Sequence, residues 1–302
     1  MTADAIPCVA TLIARKGQAE IDATLLATAR EILSTNAAPR WLEPGLAADV
    51  AFLAPPATLP ARRATVGAVI DARAIDVVLQ PEGGRRKRLF LADMDSTVIE
   101  QECIDELADF SGLKAHVAAI TERAMRGEIA FEPALRERVA LLEGLPVGVI
   151  DEVLARRITM TAGAETLIRT MRANGAYCAL VSGGFTLFTG PVAARLGFDE
   201  HRSNMLDVED GRLAGTVAEP ILGREAKRER LLALRDELGL APSETMAVGD
   251  GANDLAMLAE AGLGVAFRAK PAVAAAAHAR IDHADLTALL FVQGFARDAF
   301  VG

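Results

Sequence analysis

Four short apolar segments, KRLFLADMD (87–95), AYCALV (176–181), ETMAVGD (244–250) and GLGVAF (262–267), alternate with helical patterns from Arg88 onward. Most of them stop at Asp, Ser or Gly. Unbroken apolar runs of this length suit strands buried on both faces, and alternation with helices calls for a parallel sheet covered on both sides. Such a sheet binds ligands beyond the carboxyl ends of its strands, where the polar residues fall. The pattern predicts an α/β, Rossmann-like core whose site is built from strand-end loops.

One interval in that alternation is too long. An α/β crossover needs only about 30 residues, yet the first strand ends near 95 and the next begins near 176. Helical patterns at 99–110, 114–127, 132–143 and 146–157 fill the excess and predict an inserted helical cap at about 98–160, placed above the carboxyl edge as a lid. The stretch HRSNMLDVEDGRLAGTVAEP (201–220) carries the turn signal EDG and predicts a β-hairpin. Ahead of the core, strand-like 7–15, 48–53 and 74–79 alternate with helical 19–34 and 60–71, which predicts an α+β, ferredoxin-like module over residues 1–84. PEGGRRK (81–87) combines Pro, Gly and charge and reads as the boundary to a second domain, 85–302.

Composition narrows the function. A chain of 302 residues can bury a core without staples, and 41 acidic against 32 basic residues (net charge -9) argue against nucleic acid or an anionic membrane as partner. Cys8, Cys103 and Cys178 are scattered and form no CxxC pair, and the four histidines have no zinc-ligand spacing. No basic leader precedes an apolar run, and no stretch approaches the ~20 apolar residues of a membrane helix. The expectation is a soluble, cytoplasmic protein.

The chemistry gathers at the strand ends. LFLAD runs into Asp93-Met94-Asp95-Ser96-Thr97, two carboxylates two residues apart. One can attack while its neighbour handles protons, because paired acids acquire separated pKa values; taken alone, the pair is equally a solvated turn. Gly249-Asp250-Gly251-Ala252-Asn253-Asp254 again follows an apolar strand, and its hard oxygen donors suit Mg²⁺. Ser182-Gly183-Gly184 offers a hydroxyl and backbone N–H groups at the expected start of a helix, and Lys227 in GREAKRERLLALRDEL adds a point charge. Each of these two alone has a plain structural reading.

Together and in this order, DxDST, SGG, an isolated Lys and GDGxND resemble the four motifs of the haloacid dehalogenase superfamily, and DMDSTVIEQECIDELA is similar to the signature of its phosphoserine phosphatase family. The likeness spans roughly 85–295. It implies Mg²⁺-dependent hydrolysis of O-phospho-L-serine through an aspartyl-phosphate. Asp93 would be nucleophile and metal ligand, Asp95 the general acid/base and a ligand through its carbonyl, and Asp250 the third ligand. Ser182, Gly183 and Lys227 would hold the phosphate, with Asn253 lining the site and Gly184 and Asp254 in support. From the cap, the resemblance implies Arg138 for the substrate carboxylate, Glu102 for its ammonium, and Met125 and Phe131 as an apolar lid. By element order alone, residues 1–84 resemble ACT-type amino-acid-binding domains, which implies regulation or homodimerisation.

Other functions share parts of the pattern. A P-type ATPase also forms an aspartyl-phosphate, but there Lys follows the first Asp and Thr stands where Asp95 does. Another small-metabolite phosphomonoesterase or a homoserine phosphotransferase would share the fold, which does not by itself choose a substrate. A serine-sensing binding protein would have lost Asp93, Asp95 or Asp250, and all three are present.

Overall fold

A computed structural model describes residues 4–70, 73–125 and 128–302. Strand β1 (Ile6–Ala14), helix α1 (Ala23–Ile32), strands β2 (Arg40–Glu43) and β3 (Ala47–Ala54), helix α2 (Leu59–Ile70) and strand β4 (Ile75–Pro81) follow in βαββαβ order. They form an antiparallel sheet ordered β2-β3-β1-β4, the ferredoxin-like arrangement. Asp22 starts α1 by accepting the Leu25 N–H at 2.7 Å. Period-two alternation sends Cys8, Ala10, Leu12 and Ala14 of β1 into a core under the two helices, while Ile13, Leu42, Ala47 and Val78 join the core of the following region. Strand β2 is absent from the sequence reading because it lies at an edge, where Arg40 and Trp41 are exposed and no apolar run forms.

The rest of the chain supplies β5 (Leu89–Ala92), α3 (Cys103–Phe110), α4 (Lys114–Met125), α5 (Phe131–Ala140), α6 (Gly148–Arg156), α7 (Ala164–Ala173), β6 (Tyr177–Phe185), α8 (Thr186–Leu196), β7 (Glu200–Asn204), β8 (Leu206–Glu209) and β9 (Arg212–Val217). After these come α9 (Arg224–Glu237), β10 (Thr245–Gly249), α10 (Leu255–Glu260), β11 (Leu263–Phe267), α11 (Pro271–Ala276), β12 (Ala279–Ile281) and α12 (Ala288–Val292). Six strands make a parallel sheet ordered β12-β11-β10-β5-β6-β7. Leu89, Leu91, Ala179, Val181 and Ala247 face Leu231, Leu234 and Met257 on one side; Phe90, Ala92, Leu180 and Val248 face Leu167, Phe188 and Leu290 on the other. Burial on both faces is why these strands read as unbroken apolar runs.

Two strands carry no such signal. β7, sequence EHRSN, is a polar edge strand, and β12 has three residues. Because 200–204 pair in the parallel sheet, the hairpin is shorter than 201–220 and comprises β8 and β9 alone. Its turn takes Asp210 and Gly211 through positive φ (47° and 73°), the geometry that the EDG signal demands.

Helices α3 to α6 form the insertion. Its two connections lie side by side, Glu100 N–H donating to Thr159 O and Thr161 N–H to Val98 O, each at 3.0 Å. The hairpin braces this cap: Gly144 N–H donates to Leu213 O at 2.8 Å and Val147 N–H to Gly211 O at 3.0 Å. The 81–87 segment differs from an exposed linker. Arg85, 9% exposed, reaches Asp49 of β3 at 2.8 Å and the Val292 carbonyl of α12 at 3.1 Å, so the charge that marked a boundary serves to tie the N-terminal sheet to the region that follows. Among the described residues no helix is long and apolar enough to cross a membrane.

Candidate active site

Parallel register decides which loops meet. Ala92 is level with Val248 of β10 and with Leu180 of β6, and the Asp93 N–H donates to Val248 O at 3.0 Å. The chain leaving β5 therefore emerges between the 249–254 loop and the 182–184 segment. Asp93 is 4% exposed and caps a single wide turn, Met94–Val98, accepting the Met94 N–H at 2.7 Å. Within that turn Asp95 is extended and Ser96 is left-handed at φ 53°, so strand alternation ends and the two carboxylates approach the site from different directions. Asp95 Oδ1 accepts the Cys103 N–H at 3.2 Å, while its Oδ2 lies so close to Gly184 that a Cβ there would be 2.9 Å away. Burial, then the negative charges of Glu102 and Asp93, push the Asp95 carboxyl well above the ordinary range, where it can carry a proton.

Lys227, in the first turn of α9, is 1% exposed and bridges Asp93 Oδ1 at 2.8 Å and Asp254 Oδ1 at 2.7 Å. Burial alone would lower its pKa; the Asp254 and Asp93 carboxylates outweigh burial and raise it, so the ammonium stays charged. Asp254 is fully buried, and its other oxygen accepts the Gly251 N–H at 3.1 Å. Gly249 is glycine for a steric reason: a Cβ would stand 2.3 Å from the Asp254 carboxyl carbon. Asn253 lies in the same 3₁₀ turn, with its Oδ1 against Gly251.

Oxygens of Asp93, Asp250 and Asp254 lie within 4.8 Å of one another. Both Asp254 oxygens are already engaged, which leaves Asp93 and Asp250 as the side chains with coordination to spare. Burial, Asp93 and Glu102 raise Asp250 to about 7. This gathering of buried acidic oxygens, hard donors all, fits a metal ion. Thr97, unassigned from sequence, donates its hydroxyl to Asp250 at 3.3 Å.

The 182–184 segment departs from expectation. β6 continues to Phe185, so Gly183 and Gly184 lie in strand backbone and α8 starts only at Thr186. Ser182 Oγ accepts the Gly184 N–H at 2.9 Å. Asn204, which the sequence reading also missed, donates to Gly183 O at 2.9 Å and accepts the Leu222 N–H at 2.6 Å, tying this segment to the chain that leads into Lys227. An Asn inside EHRSN carries no motif that could have announced it.

From the cap, Phe131 opens α5 and sets its ring over the site: a Cβ on Gly183 would touch it at 3.2 Å. Glu102 stands at the start of α3 and accepts the Ser96 hydroxyl at 2.7 Å. Arg138 is held by the Ala134 carbonyl at 3.1 Å and the Thr121 hydroxyl at 3.3 Å. Burial lowers its pKa while Asp105, Glu102 and Asp95 act in the opposite sense, which places its charge in the field of the site's acids. Met125 ends α4, and its side chain lies outside the described residues. The cap thus presents a cation and an anion above the two acids.

A family model described as haloacid dehalogenase-like hydrolase matches residues 90–259. The chain is 47% identical over 208 residues to a phosphoserine phosphatase of Polaromonas sp. (strain JS666), covering 67% of this chain and 88% of that protein. It is 45% identical over 225 residues to a phosphoserine phosphatase of Mycobacterium tuberculosis (strain H37Rv), covering 74% of this chain but 55% of that protein, so it spans little more than half of that relative. Its fold resembles the crystal structure of a haloacid dehalogenase family hydrolase from Salmonella enterica serovar Typhi, with a TM-score of 0.84 and 29% identity over 97% of this chain and 99% of that one. That coverage takes in the N-terminal sheet as well as the parallel one.

Proposed function

Because the chain belongs to the haloacid dehalogenase-like hydrolases, and within them to the phosphoserine phosphatase family, we propose that it hydrolyses O-phospho-L-serine to L-serine and phosphate. The observation that carries this reading is the pair Asp93 and Asp95 just past the end of β5, the charge of the first acting on the second, with Lys227 2.8 Å from Asp93. The Asp93 carboxylate attacks phosphorus and the bond to the serine oxygen breaks. Asp95, whose pKa burial and the neighbouring acids raise, gives a proton to that oxygen, so L-serine leaves neutral at its hydroxyl. Water then attacks the aspartyl-phosphate, Asp95 takes the proton, and phosphate departs with Asp93 restored. Lys227, Ser182 and the Gly183 backbone hold the phosphoryl oxygens, and Asn253 lines the approach. We assign the cation as Mg²⁺, held by Asp93, Asp250 and the Asp95 carbonyl; when bound it supplies charge neutralisation between two anions and polarises the phosphoryl group.

Selectivity falls to the cap. Arg138 is the partner for the substrate carboxylate and Glu102 for its ammonium, with Phe131 excluding water. Arg138→Ala is expected to raise KM for O-phospho-L-serine about 30-fold or more, the cost of leaving a carboxylate without its charged partner, and to change KM for p-nitrophenyl phosphate far less. Equal effects on both esters remove Arg138 from recognition, and a panel in which phosphoserine is not preferred overturns the substrate. The same panel with excess Ca²⁺ should lose activity, since looser, higher coordination disturbs the attack geometry.

Residues 1–84 we read as an amino-acid-responsive or dimerising module of a cytoplasmic enzyme, supported by their βαββαβ order. Sedimentation of the full chain with and without L-serine tests this. A monomer whose kinetics ignore serine refutes it.

A further inference from the structure

We infer that Asp76, on β4 of the N-terminal sheet, is a positioning residue for the cap: through the loop 282–287 it holds the hinge on which the cap returns to the core. Asp76 is 3% exposed, and its carboxylate accepts three successive backbone N–H groups, from Asp282 at 2.8 Å, His283 at 3.2 Å and Ala284 at 2.8 Å. A buried carboxylate saturated by consecutive donors fixes the path of that backbone more tightly than a single contact would. The next residues of the loop grip the hinge. Leu286 N–H donates to Ala162 O at 3.0 Å, and Asp285 folds the chain by accepting the Thr287 N–H at 2.9 Å. The resulting turn presses on Gly163, at φ 83°, where a Cβ would stand 2.7 Å from Thr287 N.

The same loop also reaches the catalytic edge. Arg268 N–H donates to Ile281 O at 2.8 Å and its guanidinium to Ala284 O at 3.2 Å, and two residues on, Lys270 N–H donates to Asp250 O at 3.3 Å. Asp76 thus lies at the base of one hydrogen-bonded chain that ends at the cap hinge and at the backbone of Asp250. Loosening it lowers the fraction of molecules with the cap seated, and apparent affinity falls by that fraction while the chemistry of seated molecules is unchanged.

The kinetic arm of the test rests on the reading of the cap as the substrate's recognition element; a second arm does not. In the full-length chain, Asp76→Asn keeps the side-chain shape and removes one charged acceptor. It is expected to raise KM for O-phospho-L-serine about three- to tenfold, with kcat changed less than KM and p-nitrophenyl phosphate little affected. Hydrogen exchange should quicken at 158–163 in the same variant without any substrate. Coupling is reciprocal, so Gly163→Ala, which displaces the hinge directly, should quicken exchange at 282–287, and the two substitutions together should be non-additive. A lowered melting temperature with unchanged exchange at 158–163 reduces Asp76 to a stabilising cap and overturns the inference. If Asp76→Asn does not fold, unchanged exchange at 282–287 in Gly163→Ala overturns it equally. Altered exchange without phosphoserine turnover leaves the hinge coupling standing and removes the substrate reading instead.

Discussion

Asp93→Asn should reduce turnover of O-phospho-L-serine by at least about 10⁴-fold, equivalent to more than about 5 kcal/mol of barrier. The substitution is nearly isosteric. Its amide oxygen can still accept the Met94 N–H, now 2.7 Å from the carboxylate, and the turn that follows is kept. What disappears is the anionic oxygen that attacks phosphorus, one half of the Lys227 pairing, and a donor to the cation. Phosphate release measured beside circular dichroism separates lost chemistry from lost fold. A folded Asp93→Asn protein that retains cation-dependent turnover sinks the aspartyl-phosphate mechanism.

The second large effect falls on stability. Lys227→Met should destabilise the chain by about 3–5 kcal/mol at neutral pH, the cost of removing one partner from a buried charged group. Lys227 is the cation between Asp93 and Asp254, and Asp254, 0% exposed, has no water to take its place. The effect has a defined pH dependence. Burial and Asp93 raise the Asp254 carboxyl to about 7 even with Lys227 present. A raised carboxyl pKa means that the folded state binds the proton more readily than the unfolded one, so stability falls as pH rises from the ordinary carboxylate range toward about 7 and levels off above it. Without the ammonium this loss grows, and it is relieved once Asp254 is protonated. The melting-temperature gap between wild type and variant, measured in EDTA, should be widest above pH 7 and narrow toward pH 5. A gap independent of pH would mean that the ammonium does not act through Asp254.

The four apolar core strands were legible because each is buried on both faces, so residue type alone marks them. Strands β2, β7 and β12 were not, since all three are sheet edges and β12 has only three residues, and an edge strand needs no continuous apolar run. The acids of the site were legible because they follow those strands directly. Their immediate partners were not. Thr97 meets Asp250 across 153 residues of chain, and Asn204 meets Gly183 and Leu222 from a segment that reads as ordinary polar edge. No local pattern encodes such contacts. The continuation of β6 through Ser182, Gly183 and Gly184 was hidden for a related reason: Gly and Ser read as turn, and Phe185 opposite Asn204 of β7 draws the strand onward.

By itself the sequence determined the layered α/β core, the interruption after β5 and the identity of the strand-end acids, because burial and strand length leave their mark on neighbouring residues. It also carried the cap's charged residues, though as routine helix-surface charges. Only the tertiary structure decided that Lys227 is a buried bridge, that Ser96 and Thr97 orient Glu102 and Asp250, and that β8 and β9 brace the cap. The 81–87 segment shows the division most plainly. Its Pro, Gly and charge mark a boundary along the chain, yet Arg85 is buried between β3 and α12, paired with Asp49 and bonded to Val292. Whether a charge faces water or a partner depends on which surfaces meet, and that is settled by packing between segments far apart in the chain.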